Sequence, residues 1–168
     1  FASIVHNQVG QLLLAAKADA VVDEVVEAHK RGEKPIVALM NTMESFLSQY
    51  VDDLEIKPGQ PINLNWSALL EYALSTTLRA SETLPNGDTE IYIVDPAEHG
   101  LGSLYNAVRA AARAIEVEFP VSPIDYILQK ARANGVNVGE LTGRESGIDY
   151  TDFKTGAGTY RKFKRADK

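Results

Sequence analysis

The sequence predicts an α/β fold in which helices flank a parallel sheet. The order helix, apolar run and polar residues occurs twice, over residues 7–42 and over residues 122–144. The first apolar run, residues 36–40, is continuous, as is typical of a strand buried on both faces. The intervening residues 52–120 carry mainly helical patterns and far exceed the roughly dozen residues that a crossover needs. We therefore expect a partial parallel sheet with crossover helices and a mainly helical insertion.

The first half of this pattern lies before residue 52. A long helix is predicted over residues 7–31, and Gly32 follows it as a stop. Its apolar stripe steps by four and three residues through Leu14, Ala18, Val21, Val25 and Ala28. The predicted buried strand over residues 36–40 ends at the polar pair Asn41 and Thr42, and helical spacing returns over residues 43–51. This segment is one strand between two helices.

The insertion begins with a loop that is rich in acidic residues, proline and glycine. A helix is predicted over residues 65–80 and a short strand over residues 90–94. A second helix is predicted from residue 101, where apolar residues again recur at helical spacing, and it ends before Pro120. The insertion is therefore expected to be mainly helical.

The second half of the pattern is a helix, a tight turn and a strand. Ser122 can cap the helix, Pro123 suits its first position, and Gly135 can take the left-handed conformation that ends it. Residues 136–141 are expected to form a strand that ends at the polar tip Thr142-Gly143-Arg144. Open α/β sheets place ligand contacts at the carboxyl ends of their strands.

Charge is unevenly distributed along the chain. Residues 1–143 carry 10 Lys and Arg against 19 Asp and Glu, whereas residues 144–168 carry 7 against 4, so the net charge of −6 is the sum of −9 and +3. The basic end includes Lys154, Arg161 and Lys162. Such a segment is either a nucleic-acid contact or a flexible solvated tail, and its charge alone leaves both interpretations open.

Several site classes are excluded by the composition. With no cysteine, the chain has no disulfide, thiol nucleophile or cysteine metal site, which is compatible with a reducing cytosol. It has no apolar run of about 18 residues, so we expect no membrane partner and a cytoplasmic location. The phosphate-loop pattern is absent, and the three histidines are far apart. We therefore expect no catalytic residue, metal site or cofactor in this chain.

The two polar tips are the remaining candidate site. If both strands belong to one parallel sheet, their carboxyl ends meet at one edge. Threonine offers a hydroxyl, glycine allows close approach of the backbone, and arginine is a forked donor for phosphate. The tips thus suit a nucleic-acid backbone, although ordinary strand-to-helix turns remain an alternative. The candidate contacts are Asn41, Thr42, Thr142, Gly143 and Arg144, with Lys154, Arg161 and Lys162 from the basic end.

Three segments carry a resemblance to a known family. Residues 32–45 resemble a fourth helicase motif, residues 119–127 contain the segment Ser-Pro-Ile-Asp, and residues 135–144 end in Thr-Gly-Arg. Together they resemble the second, C-terminal RecA-like domain of superfamily-two helicases, most closely the strawberry notch type. The resemblance implies a partial helicase domain over residues 1–51 and 121–153, interrupted by the helical insertion over 52–120. From composition, residues 154–168 are expected to be a flexible basic tail.

The resemblance implies a fragment of an ATP-dependent DNA helicase or translocase. Such proteins often belong to phages or mobile elements, and a methyltransferase can share the polypeptide. ATP and Mg²⁺ would belong to the full-length parent, because the first RecA-like domain and the fifth and sixth motifs have no counterpart here. The chain begins at Phe1 and ends within the basic segment, so we expect an excised piece without ATPase activity.

The implied partners are DNA and the missing RecA-like domain of the same polypeptide. An open sheet edge is expected to be covered by the insertion or to pair with another copy of the chain. By the resemblance, the tip residues 142–144 touch the strand backbone, while Asn41 and Thr42 flank the same groove. The alternative is a non-catalytic α/β module whose helical insertion binds a partner protein.

Overall fold

The computed structural model describes residues 2–163 and shows a mixed α/β protein. The chain divides into two compact units. The small unit is Trp66–Val117, and the large unit comprises Ala2–Asn65 and the chain from Glu118 onward. The predicted insertion began at residue 52, whereas residues 52–65 belong to the large unit.

The described residues form six helices and five strands. The large unit contains α1 (Ala2–Ala16), α2 (Ala18–Lys30), α3 (Glu44–Asp53), β1 (Pro61–Asn63), α6 (Pro123–Ala133), β4 (Ser146–Asp152) and β5 (Ala157–Lys162). The small unit contains α4 (Trp66–Thr76), β2 (Arg79–Thr83), β3 (Thr89–Ile93) and α5 (Gly102–Arg113). The helix predicted over 7–31 is thus two helices, which meet at Lys17.

Both sheets of the described residues are antiparallel, so the expectation of a parallel sheet was wrong. In the large unit the strand order is β1-β5-β4. Ile62 of β1 pairs with Gly158 of β5, and Asp149 of β4 pairs with Thr159 of β5. In the small unit, β2 and β3 form a hairpin. Residues 154–168 were expected to be a flexible tail. This expectation is wrong for residues 157–162, which form β5. Residues 164–168 lie outside the described part of the chain.

The two segments expected to be the parallel strands form neither helix nor strand. Residues 36–40 pair with no strand of the described chain, and Ile36 and Met40 are 95% and 86% exposed. Residues 136–141 also pair with no strand of the described chain; Leu141 is fully exposed, whereas Val136 is buried. An apolar run becomes a strand only where neighbouring strands satisfy its backbone groups, and neither segment has such a neighbour among residues 2–163.

The core of the large unit lies where α2 packs against α6. Ala18 and Val22 of α2 contact Tyr126 and Ile127 of α6 in one buried cluster, and Leu39 packs against its edge. A second cluster joins Val25 to Ala131 and Val136. The helical stripe predicted for α2 is therefore the buried face. Among the described residues, none of the helices is both long enough and apolar enough to cross a bilayer.

Candidate nucleic-acid interface

A buried ion-pair network joins the two motif segments of the large unit. Arg144 and Asp125 are only 2% and 1% exposed. The Arg144 Nη1 atom lies 2.8 Å from Asp125 Oδ1. The same guanidinium binds Glu140 with two donors, Nε at 2.7 Å from Oε1 and Nη2 at 2.8 Å from Oε2. One arginine therefore pairs with two carboxylates, and a bidentate pair such as that with Glu140 fixes orientation as well as charge.

Local sequence places Asp125 at this point. Ser122 occupies the N-cap position of α6 and Pro123 follows it in the first turn. The sequence predicted that the Ser122 hydroxyl caps the helix, but it does not. The hydroxyl instead donates to Asp125 Oδ2 at 2.6 Å. The backbone N–H of Ile148 donates to the same oxygen at 2.9 Å. The start of α6 is thereby tied to β4.

Glycine at position 147 lets β4 approach the network closely. A Cβ atom there would lie 2.7 Å from Asp125 Oδ1 and 3.0 Å from Arg144 Nη1. Real Cβ atoms do not come this close to buried charged atoms, so a larger residue would displace the ion pair. Arg144 also donates to the carbonyl oxygen of Ser146 at 3.2 Å, which binds the guanidinium to the adjacent backbone.

The protonation of the network follows from burial and from its partners. Burial raises the pKa of Asp125, while Arg144, Ser122 and the N–H of Ile148 oppose that rise by stabilising the carboxylate. For Arg144, burial disfavours the charged form, but Glu140 and Asp125 outweigh it and raise the pKa. The guanidinium therefore stays charged, and it pairs with the carboxylates of Asp125 and Glu140 inside the protein.

The residues that follow the two polar tips contact each other. The Glu44 carboxylate, in the first turn of α3, accepts a hydrogen bond from the backbone N–H of Glu145. At the first tip, Asn41 Oδ1 accepts from the N–H of Met43 at 2.8 Å, and Met43 adopts a left-handed φ of 60°. Proximity of the tips was expected from a parallel sheet edge. Here it results from the contact between α3 and the segment that enters β4.

The predicted contact residues differ in how much they present to solvent. Arg144 is buried with its donors engaged, and the Thr142 hydroxyl donates to the Glu140 carboxylate. Gly143 is exposed, and the space around its Cα is open. Asn41 is exposed and Thr42 is partly buried. The accessible polar groups of the second tip are therefore mainly those of the backbone around Gly143.

The three basic candidates lie at two ends of one hairpin. Lys162 is paired with Ser146 in the β4–β5 ladder, so it and Arg161 lie at the same end as the tips. Lys154 lies in the turn at the other end, about 20 Å away along the strands, where its Nζ is 2.5 Å from Glu118 Oε2. The Arg161 Nε lies 2.6 Å from Asp149. The structure thus brings Arg161 and Lys162, but not Lys154, towards the tips.

Sequence reasoning missed Glu140 and Gly147 as parts of this site. Glu140 stands four residues before Arg144, but in a segment predicted to be a strand this spacing gives no sign that the two side chains meet. Nothing in the sequence pattern marks Gly147, because its importance depends on a helix 22 residues earlier. In the described part of the chain, no group of three or more acidic or histidine side chains is arranged to hold a metal ion.

Comparisons with known proteins do not extend these observations. No protein-family model matches the chain, and its comparison with curated proteins and with solved structures gives no significant match. The function must be inferred from the residues and contacts of the chain itself.

Proposed function

We propose that this chain is part of the C-terminal RecA-like domain of a superfamily-two helicase of the strawberry notch type, and that it contacts the backbone of DNA. The observation that carries the proposal is the buried pair of Asp125 and Arg144. These residues belong to the Ser-Pro-Ile-Asp and Thr-Gly-Arg segments, which carry the family resemblance. Their direct contact favours a common role for the two segments.

In this proposal, Arg144 is a positioning residue. Its bonds to Asp125 and Glu140 hold the following backbone, and the Glu44 carboxylate fixes the N–H of Glu145. The exposed backbone at Gly143 then lies beside the end of β5 that carries Lys162. Backbone N–H groups and lysine ammonium groups are both common phosphate contacts and read no base sequence.

The unpaired apolar segments fit the same proposal. We infer that residues 36–40 and 136–141 pair as parallel strands with strands supplied by the rest of the parent polypeptide. The absence of a strand partner for them among residues 2–163 and the exposed side chains of Ile36, Met40 and Leu141 support this inference. ATP and Mg²⁺ would bind in the parent's other RecA-like domain, so this chain alone would not hydrolyse ATP. We expect a cytoplasmic protein.

Binding is tested with fluorescein-labelled single-stranded and duplex oligonucleotides by fluorescence anisotropy. We expect weak binding at low ionic strength that decreases steeply as salt is added, because phosphate contacts release counterions. Lys162→Ala should lower the slope of log K against log salt by about 0.7 to 0.9, which corresponds to one lost contact. Gly143→Glu should weaken binding about fivefold at low salt through one added repulsive charge.

The matched control is Asn106→Glu, which makes the same charge change on an exposed residue of the small unit. Gly143 has open space around it, so circular dichroism should show that Gly143→Glu keeps its fold. Undetectable binding at low salt would overturn the proposal. Equal weakening by Gly143→Glu and Asn106→Glu would assign the effect to net charge instead of the tip.

A further inference from the structure

The small unit contains an open apolar groove that the proposed nucleic-acid function does not use. A cavity of about 730 Å³ lies among α4, β3, the loop after β3 and α5. Its lining is mostly apolar and includes Leu74 and Leu78 on one side and Leu101, Leu104 and Val108 on the other. Leu101 and Leu104 are nevertheless 53% and 62% exposed. The groove is therefore open along α5.

The exposed side chains follow the regular spacing of their elements. Leu101, Leu104 and Val108 are separated by three and four residues, so they form one stripe at and along α5. On β3, Ile91 and Ile93 are two residues apart and share one face of the strand, and both are exposed. Regular apolar stripes left open to solvent mark interaction surfaces more often than scattered single residues do.

Acidic groups accompany the groove. Asp95 and Glu98 line the cavity together with the apolar side chains. The small unit carries seven acidic residues and three arginines, a net charge of 3 − 7 = −4. Two of these arginines are engaged, since Arg109 Nε and Arg113 Nε lie 2.9 Å and 2.7 Å from Glu71 Oε1. The charge complementary to this groove is positive.

We propose that this groove binds a basic amphipathic helix of a partner protein. A helix that presents apolar residues at positions i, i+3 or i+4, and i+7 would place them along the Leu101, Leu104 and Val108 stripe. Lysines or arginines flanking that apolar face would meet Asp95 and Glu98. A drug-sized ligand is disfavoured, because such ligands are largely enclosed by their pockets, whereas this lining is half exposed. The groove lies entirely within the small unit, so the proposal is independent of DNA binding.

The test uses the full chain and a fluorescein-labelled synthetic peptide of about 18 residues, or five helical turns. The peptide contains leucine at i, i+3, i+4 and i+7 positions and lysine elsewhere. One control peptide has the same leucine and lysine content in scrambled order. The other has glutamate in place of lysine. Anisotropy should give a dissociation constant of about micromolar order for the first peptide. Both control peptides should bind at least about tenfold more weakly.

Variants locate the site. Leu104→Asp should weaken peptide binding at least about tenfold, since it places a carboxylate on the exposed apolar stripe. Asn106→Asp is the matched control, because it adds the same charge on the opposite face of α5 and should weaken binding far less. Glu98→Gln should weaken binding about threefold and reduce its dependence on salt. Amide resonances of residues 101–108 should shift when the peptide is added.

Three results would overturn the proposal. If the scrambled peptide binds as tightly as the amphipathic one, the interaction is nonspecific charge attraction. If the chain dimerises in sedimentation velocity, Leu104→Asp abolishes the dimer and no peptide binds, then the occupant is a second copy. If the peptide binds but Leu104→Asp and Asn106→Asp weaken it equally, the helix binds elsewhere on the acidic surface.

Discussion

At the scale of single residues, Arg144 determines whether the large unit can bury two carboxylates. Asp125 and Glu140 are both buried or nearly so in the ion-pair network, and the guanidinium contacts each at less than 3 Å. A buried ion pair adds little stability relative to apolar residues of similar volume. Removal of one partner is costly, because the other charge is left without compensation.

We therefore expect Arg144→Met to destabilise the large unit by about 3 to 5 kcal/mol. Methionine keeps most of the side-chain volume, so the loss of stability would come from the two carboxylates that are left without a positive partner. Urea unfolding followed by far-UV circular dichroism measures the free energy of unfolding. Arg132→Met is the control: Arg132 is exposed and donates to the Val138 carbonyl at 3.2 Å, so we expect a change within about 0.5 kcal/mol. A loss below about 1 kcal/mol for Arg144→Met would contradict the predicted role.

At the scale of elements, β5 depends on a glycine at the point where it meets the end of β1. Gly156 has a φ of +75°, and a Cβ atom there would lie 2.1 Å from the Leu64 carbonyl oxygen. The N–H of Leu64 donates to the Gly156 carbonyl at 3.0 Å, so neither backbone can retreat without losing this bond. Position 156 therefore combines a conformational requirement with a steric one.

Gly156→Ala should destabilise the protein by about 2 to 4 kcal/mol, the sum of backbone strain and steric overlap. Gly59→Ala separates the two causes, because Gly59 has a φ of +87° but nothing within 4 Å of its Cβ position. That control should cost only about 1 to 2 kcal/mol, the usual penalty for a left-handed residue with a side chain. The comparison is made by thermal and urea unfolding. Equal losses for the two variants would show that the Leu64 carbonyl moves aside freely.

The elements also show which features were predictable from sequence. Helices α2 and α6 were found from apolar spacing, because a helix satisfies its own backbone and needs only one packed face. Residues 36–40 were predicted as a strand and are not one, because pairing depends on neighbours that spacing cannot reveal. Arg144 was predicted to lie at a surface, because the sequence does not reveal which residues it contacts either. Its residue type suits phosphate, but its actual partners, Asp125 and Glu140, are set by the packing of α6 against β4.

At the scale of the whole molecule, apolar burial is unequal between the two units. Of the 25 buried apolar residues among residues 6–163, four belong to the small unit: Trp66, Leu69, Ala73 and Ala112. The small unit instead exposes the apolar stripes of α5 and β3. Because apolar burial is the main favourable contribution to folding, the small unit should open at a lower free energy than the large one.

The only tryptophan of the sequence makes this difference measurable. Trp66 is buried and is the first residue of the small unit, so we expect its fluorescence to report mainly that unit, whereas far-UV circular dichroism reports both. In urea, we expect the fluorescence transition to precede the main circular dichroism transition, which departs from two-state behaviour.

Two buried residues provide matched variants. Leu69→Ala should lower the fluorescence midpoint, and Ile148→Ala should lower the circular dichroism midpoint, each through a loss of about 2 to 5 kcal/mol. Coincident transitions that both variants shift together would show that the two units unfold as one.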